Sequence, residues 1–563
     1  MKPSLRRFLY FAFGAFLFGC TPAPPNLLLV NGRIWTAQDK STFVEAVAIR
    51  GQKIEQVGTS DELKTLAGPG TRVIDLNGKL VIPGFNDAHI HFLGGSMGLA
   101  EVDLSEARSG PAIVEAVTSF AQQHPEKKWI TGRGWQYTWF PSGLPTAADL
   151  AGMPNDRPVL LTAYDGHSSW ANNKALEIAG ITSQSAPIGY GNIVRDAKGN
   201  ATGALLEDAQ SMIRKFIPES TREERLNALR EGLRLAARLG ITSMQNASGS
   251  LDELSLYLEL QKNSELTARY SAALSVDENT PDSVIENFKR KREELSQNPL
   301  VHADAIKFML DGVIESHTAA MLLPYDDAID ELGDFAHPLG DYRRKVLALD
   351  KAGFRLYTHA IGDRAVREAL NAYEEAQREN NARPRRHRIE HIETISPEDI
   401  PRFASLGVLA SMEPIHADPG TMGVWQRAIG PQRLPFSFAW ASMLSSNAKL
   451  VFSSDWPACI DVNPIRGIHV AVNRRTPEGF PEEGWIAGQK ISIADALLAY
   501  TRGGAYASFE EDKKGQIMTG QLADLVVLSE DLFVIDPMKI ATARVVLTVF
   551  DGKVLFEEAD QPR

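Results

Sequence analysis

Residues 221–245 read TREERLNALREGLRLAARLGITSMQ, a helix and a strand written back to back. Thr221 with Glu224 three residues on is a capping-box pattern, in which each side chain satisfies the other's free backbone amide. Leu226, Leu229, Leu233 and Ala236 recur at helical spacing and predict one apolar face, and Gly240 ends the helix. Ile241 to Gln245 follows at once as a strand. Outward from this unit, comparable apolar runs occur at Arg269 to Leu274, Ala305 to Leu310, Phe354 to Thr358, His387 to Ile392, Val408 to Met412 and Lys449 to Ser453. With Leu80 to His91 in front, they make eight candidate strands separated by helical segments. This alternation predicts an α/β fold, a (β/α)8 TIM barrel over residues 83–504, with 92–220 as an insertion after the first strand.

The two ends of the chain have a different texture. Leu27 to Thr36, Ala46 to Val57 and Thr71 to Ile82 are short runs rich in Val, Ile and Leu, broken by Asn31-Gly32, Arg50-Gly51 and Asn77-Gly78. Ala523 to Leu528 and Ala543 to Phe556, the latter turned by Asp551-Gly552, repeat the style. Asn-Gly between apolar runs predicts β-hairpins, because both turn positions tolerate positive φ. Neither end has enough apolar faces to close a core alone. A single flanking β-sandwich built from residues 20–82 and 505–563 is therefore expected.

At the start, Lys2, Arg6 and Arg7 precede an apolar run from Phe8 to Gly19, too short to span a bilayer comfortably, so residues 1–19 read as a signal peptide. Leu17-Phe18-Gly19-Cys20 resembles a bacterial lipobox. That resemblance implies a lipid on Cys20 and an exported bacterial lipoprotein, anchored to the membrane and facing the periplasm or the cell exterior; an uncleaved anchor is the alternative. The 563-residue chain carries a net charge of −12, which excludes a duplex nucleic-acid partner, since displacing counterions needs a basic face. Two cysteines, Cys20 and Cys459, cannot staple a chain of this length.

The candidate chemistry gathers at the strand ends. His89 and His91 stand two apart on a strand, so both rings project to one face and can hold a divalent metal. Gly94-Gly95 follows as a loop open to a ligand. His359, His391 and Asp455 occupy the ends of later strands, where the active sites of such barrels form. Any one histidine alone reads more readily as a hydrogen-bonded core residue, and it is four histidines with Asp455 at matching strand positions that reverse this. Lys307 lies inside the apolar strand Ala305 to Leu310; burial favours its neutral amine, which can add carbon dioxide, and an ion pair with Asp311 or Glu315 is the alternative.

Taken in order, these segments resemble the amidohydrolase superfamily, and within it amidohydrolase family 3, the branch that includes N-substituted formamide deformylases. The resemblance rests on Asn31 to Thr36, Val81 to His91, Gly132-Arg133-Gly134-Trp135, Asp165-Gly166-His167, Lys307 with Asp311-Gly312, Thr358 to Asp363, Glu390-His391, Ser454-Asp455 and Gly520 to Leu525. It implies a metal-dependent hydrolase of C–N bonds other than peptide bonds, acting on a small molecule with one or two divalent ions, zinc first among them. His89 and His91 would bind the first ion, His359 and His391 the second, and carboxylated Lys307 would bridge them. Asp455 would ligate the first ion, take the proton of the attacking water and pass it to the departing amine. His167, Trp135, Asp311 and Arg388 are the implied substrate contacts or their supports, with a purely structural His167 and a core Trp135 as the alternatives, and Trp139, Phe140 and Trp170 suit apolar or aromatic substrate groups or, equally, core packing. Asn246 and Glu413 stand where the family commonly has aspartate and glutamine, and are expected to shift substrate preference. The scaffold also admits ester hydrolysis or isomerisation, and, with a broken site, simple binding.

Overall fold

The computed structural model describes residues 23–559 apart from 106, 142, 147, 148, 150, 151, 153–155 and 278; the signal segment and Cys20 lie outside the described residues. The helix opening the quoted stretch runs Arg222–Arg238 with the Thr221/Glu224 capping box closed, and its face of Leu226, Leu229, Leu233 and Ala236 is buried. Strand Ile241–Gly249 follows it directly.

Eight parallel strands stand side by side in sequence order: Phe85–Ile90, Ile241–Gly249, Arg269–Ser275, Val301–Met309, Arg355–Ala360, Arg388–His391, Leu409–Met412 and Leu450–Phe452. The ring closes just beyond the last strand, where Asp455 N–H donates to His89 O (2.8 Å) and His91 N–H to Trp456 O (2.7 Å). Closure therefore runs through the candidate ligands themselves. The main apolar core fills the layer between this barrel and its outer helices.

Leu80 to His91 is two strands rather than one. Leu80–Pro83 pairs with Leu525–Leu528 of the C-terminal segment, Ile82 opposite Val526, and only Phe85–Ile90 enters the barrel. Gly84 between them sits so close to Thr242 that a Cβ would lie 2.1 Å from its Oγ1, so the chain turns from one sheet into the other at a point no side chain could occupy. The sandwich thus contains strands from both ends of the chain, a six-stranded sheet facing one of four, over a core that includes Leu29, Ile34, Val47, Leu525, Val527 and Val549.

Two expected hairpins are absent. Asn31-Gly32 and Asn77-Gly78 each carry the chain from the four-stranded sheet to the six-stranded one, because the strands they join lie in different sheets. Asn31 and Asn77 do take positive φ, but Gly78 N–H caps Asn31 O (2.7 Å), so the two turns close on each other instead of folding their strands back. Arg50-Gly51 and Asp551-Gly552 are true hairpin turns. Gly94-Gly95 is likewise no loop but part of helix Phe92–Gly98, and Gly95 makes room for the Trp456 ring.

The insertion builds its own six-stranded sheet, ordered Asn192–Arg195, Ala201–Leu206, Ser168–Ala171, Val159–Ala163, Ile130–Trp135 and Val102–Asp103. It stands over the C-terminal ends of the barrel strands and supplies part of the cavity wall there.

Candidate active site

His89 points from the first barrel strand into a fully buried cluster. Its Nδ1 lies 2.6 Å from Glu390 Oε2, and the carboxylate draws the ring proton to that nitrogen. In the neutral ring Nε2 then turns its lone pair toward Asp455 Oδ1 at 3.3 Å, while His91 Nε2 approaches the same oxygen at 3.0 Å; burial and Lys307 oppose charge on His89, and Asp455 and Glu390 outweigh them and raise its pKa. Among the described residues Asp455 Oδ1 is buried and receives no hydrogen bond of good geometry. Electron-rich atoms converging at this distance, one of them an orphaned carboxylate oxygen, are the donor set of a cation site. The residues present fit a divalent metal.

The other histidines are oriented by the same device. His391 Nδ1 is 2.9 Å from Glu413 Oε2, and His359 Nε2 is 3.2 Å from Gly312 O, so each ring has one nitrogen anchored and the other open to the cavity its ring lines. The rings of His89 and His391 are 4.8 Å apart, those of His359 and His391 4.4 Å. Burial first, then the cost of a second positive charge beside His167 and Lys307 for His359 and beside His359 and His89 for His391, holds both rings well below the usual imidazole range, which favours the neutral form that metal ligation requires. His391 and Asp455 both adopt positive φ, 74° and 59°, a costly backbone state for residues other than glycine that turns their side chains inward at the strand ends.

Lys307 Nζ lies 3.3 Å from His89 Nε2. Burial pushes its pKa down, against the pull of Glu390, Asp455 and Glu413. The alternative ion pair is not formed: Asp311 accepts the backbone amides of Ala320, Ile361 and Gly362, and Glu315 accepts the Tyr164 hydroxyl at 2.9 Å.

These groups open onto a cavity of about 610 Å³ that also reaches His167, Arg133, Glu207, Asp311 and Arg214. His167 arrives from the insertion, held by Glu207 Oε2 at 2.8 Å. Burial opposes its charge, yet Glu207 and Asp165 outweigh it and lift its pKa to about 9. Trp135 is not in the cavity. It is fully buried in the insertion core, its indole donates to Leu161 O (3.0 Å), and Phe140 and Trp170 share that core; Trp139 is half-buried against it and lines a separate cavity, so none of the four lines the cavity at the histidine cluster. Arg388 lies beneath the cluster, donating to Glu390 Oε1 (2.6 Å) and Gln245 Oε1 (3.0 Å) and stacked on Tyr357. It supports the ligand shell and touches no substrate space. Asp311 does face the cavity, but its oxygens are taken by the three amides, so it shapes loops rather than binding a ligand.

Glu413 and Asn246 also act away from the substrate. Glu413 braces His391 and accepts the Ser453 hydroxyl, with burial raising its pKa to about 7, and Asn246 Oδ1 accepts the Phe92 amide. Glu390, which only accompanied His391 in the sequence motif, is one residue the sequence reading missed, and His416, stacked on His391 and 3.8 Å from Asp455 Oδ2, is another. Arg388 and His89 hold Glu390 ionised despite its burial, with a pKa near 2.

A profile of the amidohydrolase family matches residues 72–556. The chain belongs to the amidohydrolase family. This amidohydrolase is a metal-dependent hydrolase whose clustered histidines and carboxylates suit a divalent ion. It is 32% identical over 545 residues to protein LONG AFTER FAR-RED 3 of Arabidopsis thaliana, spanning 94% of this chain and 91% of that one. It is 24% identical to the N-substituted formamide deformylase of Arthrobacter pascens over 94% of this chain and 98% of that one. An uncharacterised metal-dependent hydrolase from Pyrococcus furiosus superposes with a TM-score of 0.68 at 26% identity, over 91% of this chain and 100% of that chain.

Proposed function

We propose that this amidohydrolase cleaves the C–N bond of an amide or formamide-type small molecule. The observation that carries the proposal is the orphaned Asp455 Oδ1 between His89 Nε2 and His91 Nε2, inside a cavity large enough for a small organic substrate. The similarity to a formamide deformylase supports the choice of bond. His89, His91 and Asp455 would hold a first ion, zinc by preference, and His359 and His391 a second. Lys307, after its neutral amine adds carbon dioxide and releases a proton, would bridge them. When bound, a divalent ion supplies Lewis acidity, polarising a carbonyl and acidifying water.

The chain's own residues do the rest. Asp455 accepts the proton of the attacking water and delivers it to the nitrogen as the C–N bond breaks. Glu390 and Glu413 hold His89 and His391 in their ligating tautomers, and Arg388 keeps Glu390 charged. The leader carries a further part of the proposal, a lipid on Cys20 tethering the enzyme to the membrane outside the cytoplasm. Among the described residues no helix is long and apolar enough to cross a membrane.

The test is a panel of N-formyl and N-acyl amines beside their matched esters. Amide turnover should disappear on chelation and return with zinc, and Asp455→Asn should lower it by about 10²- to 10⁴-fold while the four histidines retain metal. Turnover confined to esters, or undiminished in Asp455→Asn, would overturn the assignment.

A further inference from the structure

Arg133 and Arg214 stand apart from most guanidiniums of this chain. Arg269, Arg355, Arg385 and Arg388 are each buried against a carboxylate, and Arg474, which is not, lies flat on the Trp440 ring at 3.7 Å. Arg133 instead donates only to carbonyls, Nε to Pro457 O (2.7 Å) and Nη2 to Tyr164 O (3.2 Å). Arg214 Nη2 donates to the neutral oxygens of Gln210 (2.9 Å) and Thr162 (3.4 Å). Among the described residues no carboxylate is ion-paired with either, and both line the same cavity as His91, Lys307 and Asp455.

The acids along that wall are already committed. Asp165 accepts the Tyr137 hydroxyl and the His167 amide, Glu207 holds His167 and the Thr318 hydroxyl, and Asp208 accepts the Tyr190 amide. Neither arginine receives a hydrogen-bond partner from these acids: burial works against the charge on Arg133, and Asp165, Asp455 and Glu101 offset part of this across space only. Burial and the proximity of Arg133 both work against charge on Arg214; Glu101, which itself accepts the Thr131 hydroxyl, offsets only part of this. Each guanidinium lines the cavity with neutral hydrogen-bond partners and further N–H groups to spare, and a planar guanidinium meets a carboxylate with paired donors.

We infer that the substrate carries a carboxylate seated on Arg133 and Arg214, with its scissile C–N bond at the His89, His91 and Asp455 cluster. The substrate class is then an N-acylated amino acid or a related N-acyl acid. The inference rests on the C–N reading above for the bond cleaved, but not for the carboxylate seat. Arg133 couples that seat to the chemistry, because its anchor Pro457 follows Asp455 by two residues.

The experiment measures binding and turnover separately on the zinc-loaded full chain. Its probes are N-acetylglycine, 4-acetamidobutanoate and 6-acetamidohexanoate, each beside its primary carboxamide, so that the series samples the spacing between bond and acid. At least one acid should bind about 10-fold or more tightly than its amide, the worth of charge-assisted hydrogen bonds in a recess. Arg214→Gln, whose partners lie on its own turn and on one strand, should bring that acid to within about threefold of the amide. Arg133→Gln should do the same wherever its melting temperature shows that it is folded. Equal binding of acids and amides, or an acid preference that survives Arg214→Gln, overturns the inference. Acid preference without hydrolysis would sink the C–N reading and leave the carboxylate seat standing; hydrolysis without acid preference would do the reverse.

Discussion

Glu390 shows what one buried charge can do for a neighbour. A carboxylate 2.6 Å from His89 Nδ1 selects the tautomer that exposes Nε2, and Arg388 at 2.6 Å keeps the carboxylate ionised in a site without solvent. Glu390→Gln preserves the shape and removes the charge, and should weaken zinc binding about 10- to 100-fold, measured by competition with a chromophoric chelator. Unchanged affinity would mean that packing alone orients the ring. His89, His91, His359, His391, Lys307 and Asp455 were all legible as candidates in the sequence, because metal chemistry restricts the residue types and strand ends restrict their places. Glu390 was not, because adjacent residues on a strand ordinarily face opposite ways; the positive φ of His391 is what lets both serve one site. Trp135 could not be decided from the sequence, since a tryptophan packs a core or lines a pocket with the same composition signal.

At the scale of elements, the insertion is the part that distinguishes this pocket. Its strands bring Arg133 and, between Val159–Ala163 and Ser168–Ala171, His167; the turn after Ala201–Leu206 brings Glu207, and the short helix beyond it Arg214. The His167–Glu207 contact, 2.8 Å, fastens two strand ends of the insertion together, and Glu207 also accepts from Thr318 in the loop after the fourth barrel strand. Because the folded pKa of His167 is raised to about 9, its contribution to stability is complete below about pH 6.5 and is lost as pH rises through about 9. Wild type should therefore lose up to about 3 kcal/mol between pH 6 and pH 10 that Glu207→Gln does not lose. Denaturation curves at both pH values check this, and parallel losses in the two proteins would refute it. Element by element, the Thr221/Glu224 cap and the alternating strands were readable because each is a local pattern. The destinations of the Asn-Gly turns were not, since a turn sequence specifies its own dihedrals and not which sheet receives the next strand.

For the whole molecule, the barrel and the sandwich are held together by buried charge. Arg269 at the start of the third barrel strand donates to Asp524 (2.8 Å) and Asp551 (2.9 Å) from the C-terminal segment, with the arginine and Asp524 almost fully buried. Arg269→Met strands two acids in that interface and should cost about 3–5 kcal/mol, seen as a lower melting temperature with bound-metal content unchanged. A loss under about 1 kcal/mol would show that apolar packing alone joins the two units. The sequence by itself determined the eight-strand alternation, the shared sandwich and the metal-ligating residue types, because hydrophobic period, turn residues and donor chemistry are properties of short stretches. Only the tertiary structure decided which carboxylates brace which imidazoles, that Trp135, Phe140 and Trp170 of the insertion are core, and that two arginines from distant segments share a cavity with, among the described residues, no carboxylate hydrogen-bonded to either. Those facts depend on distances between residues far apart in the chain, which closure of the barrel sets and no local pattern encodes.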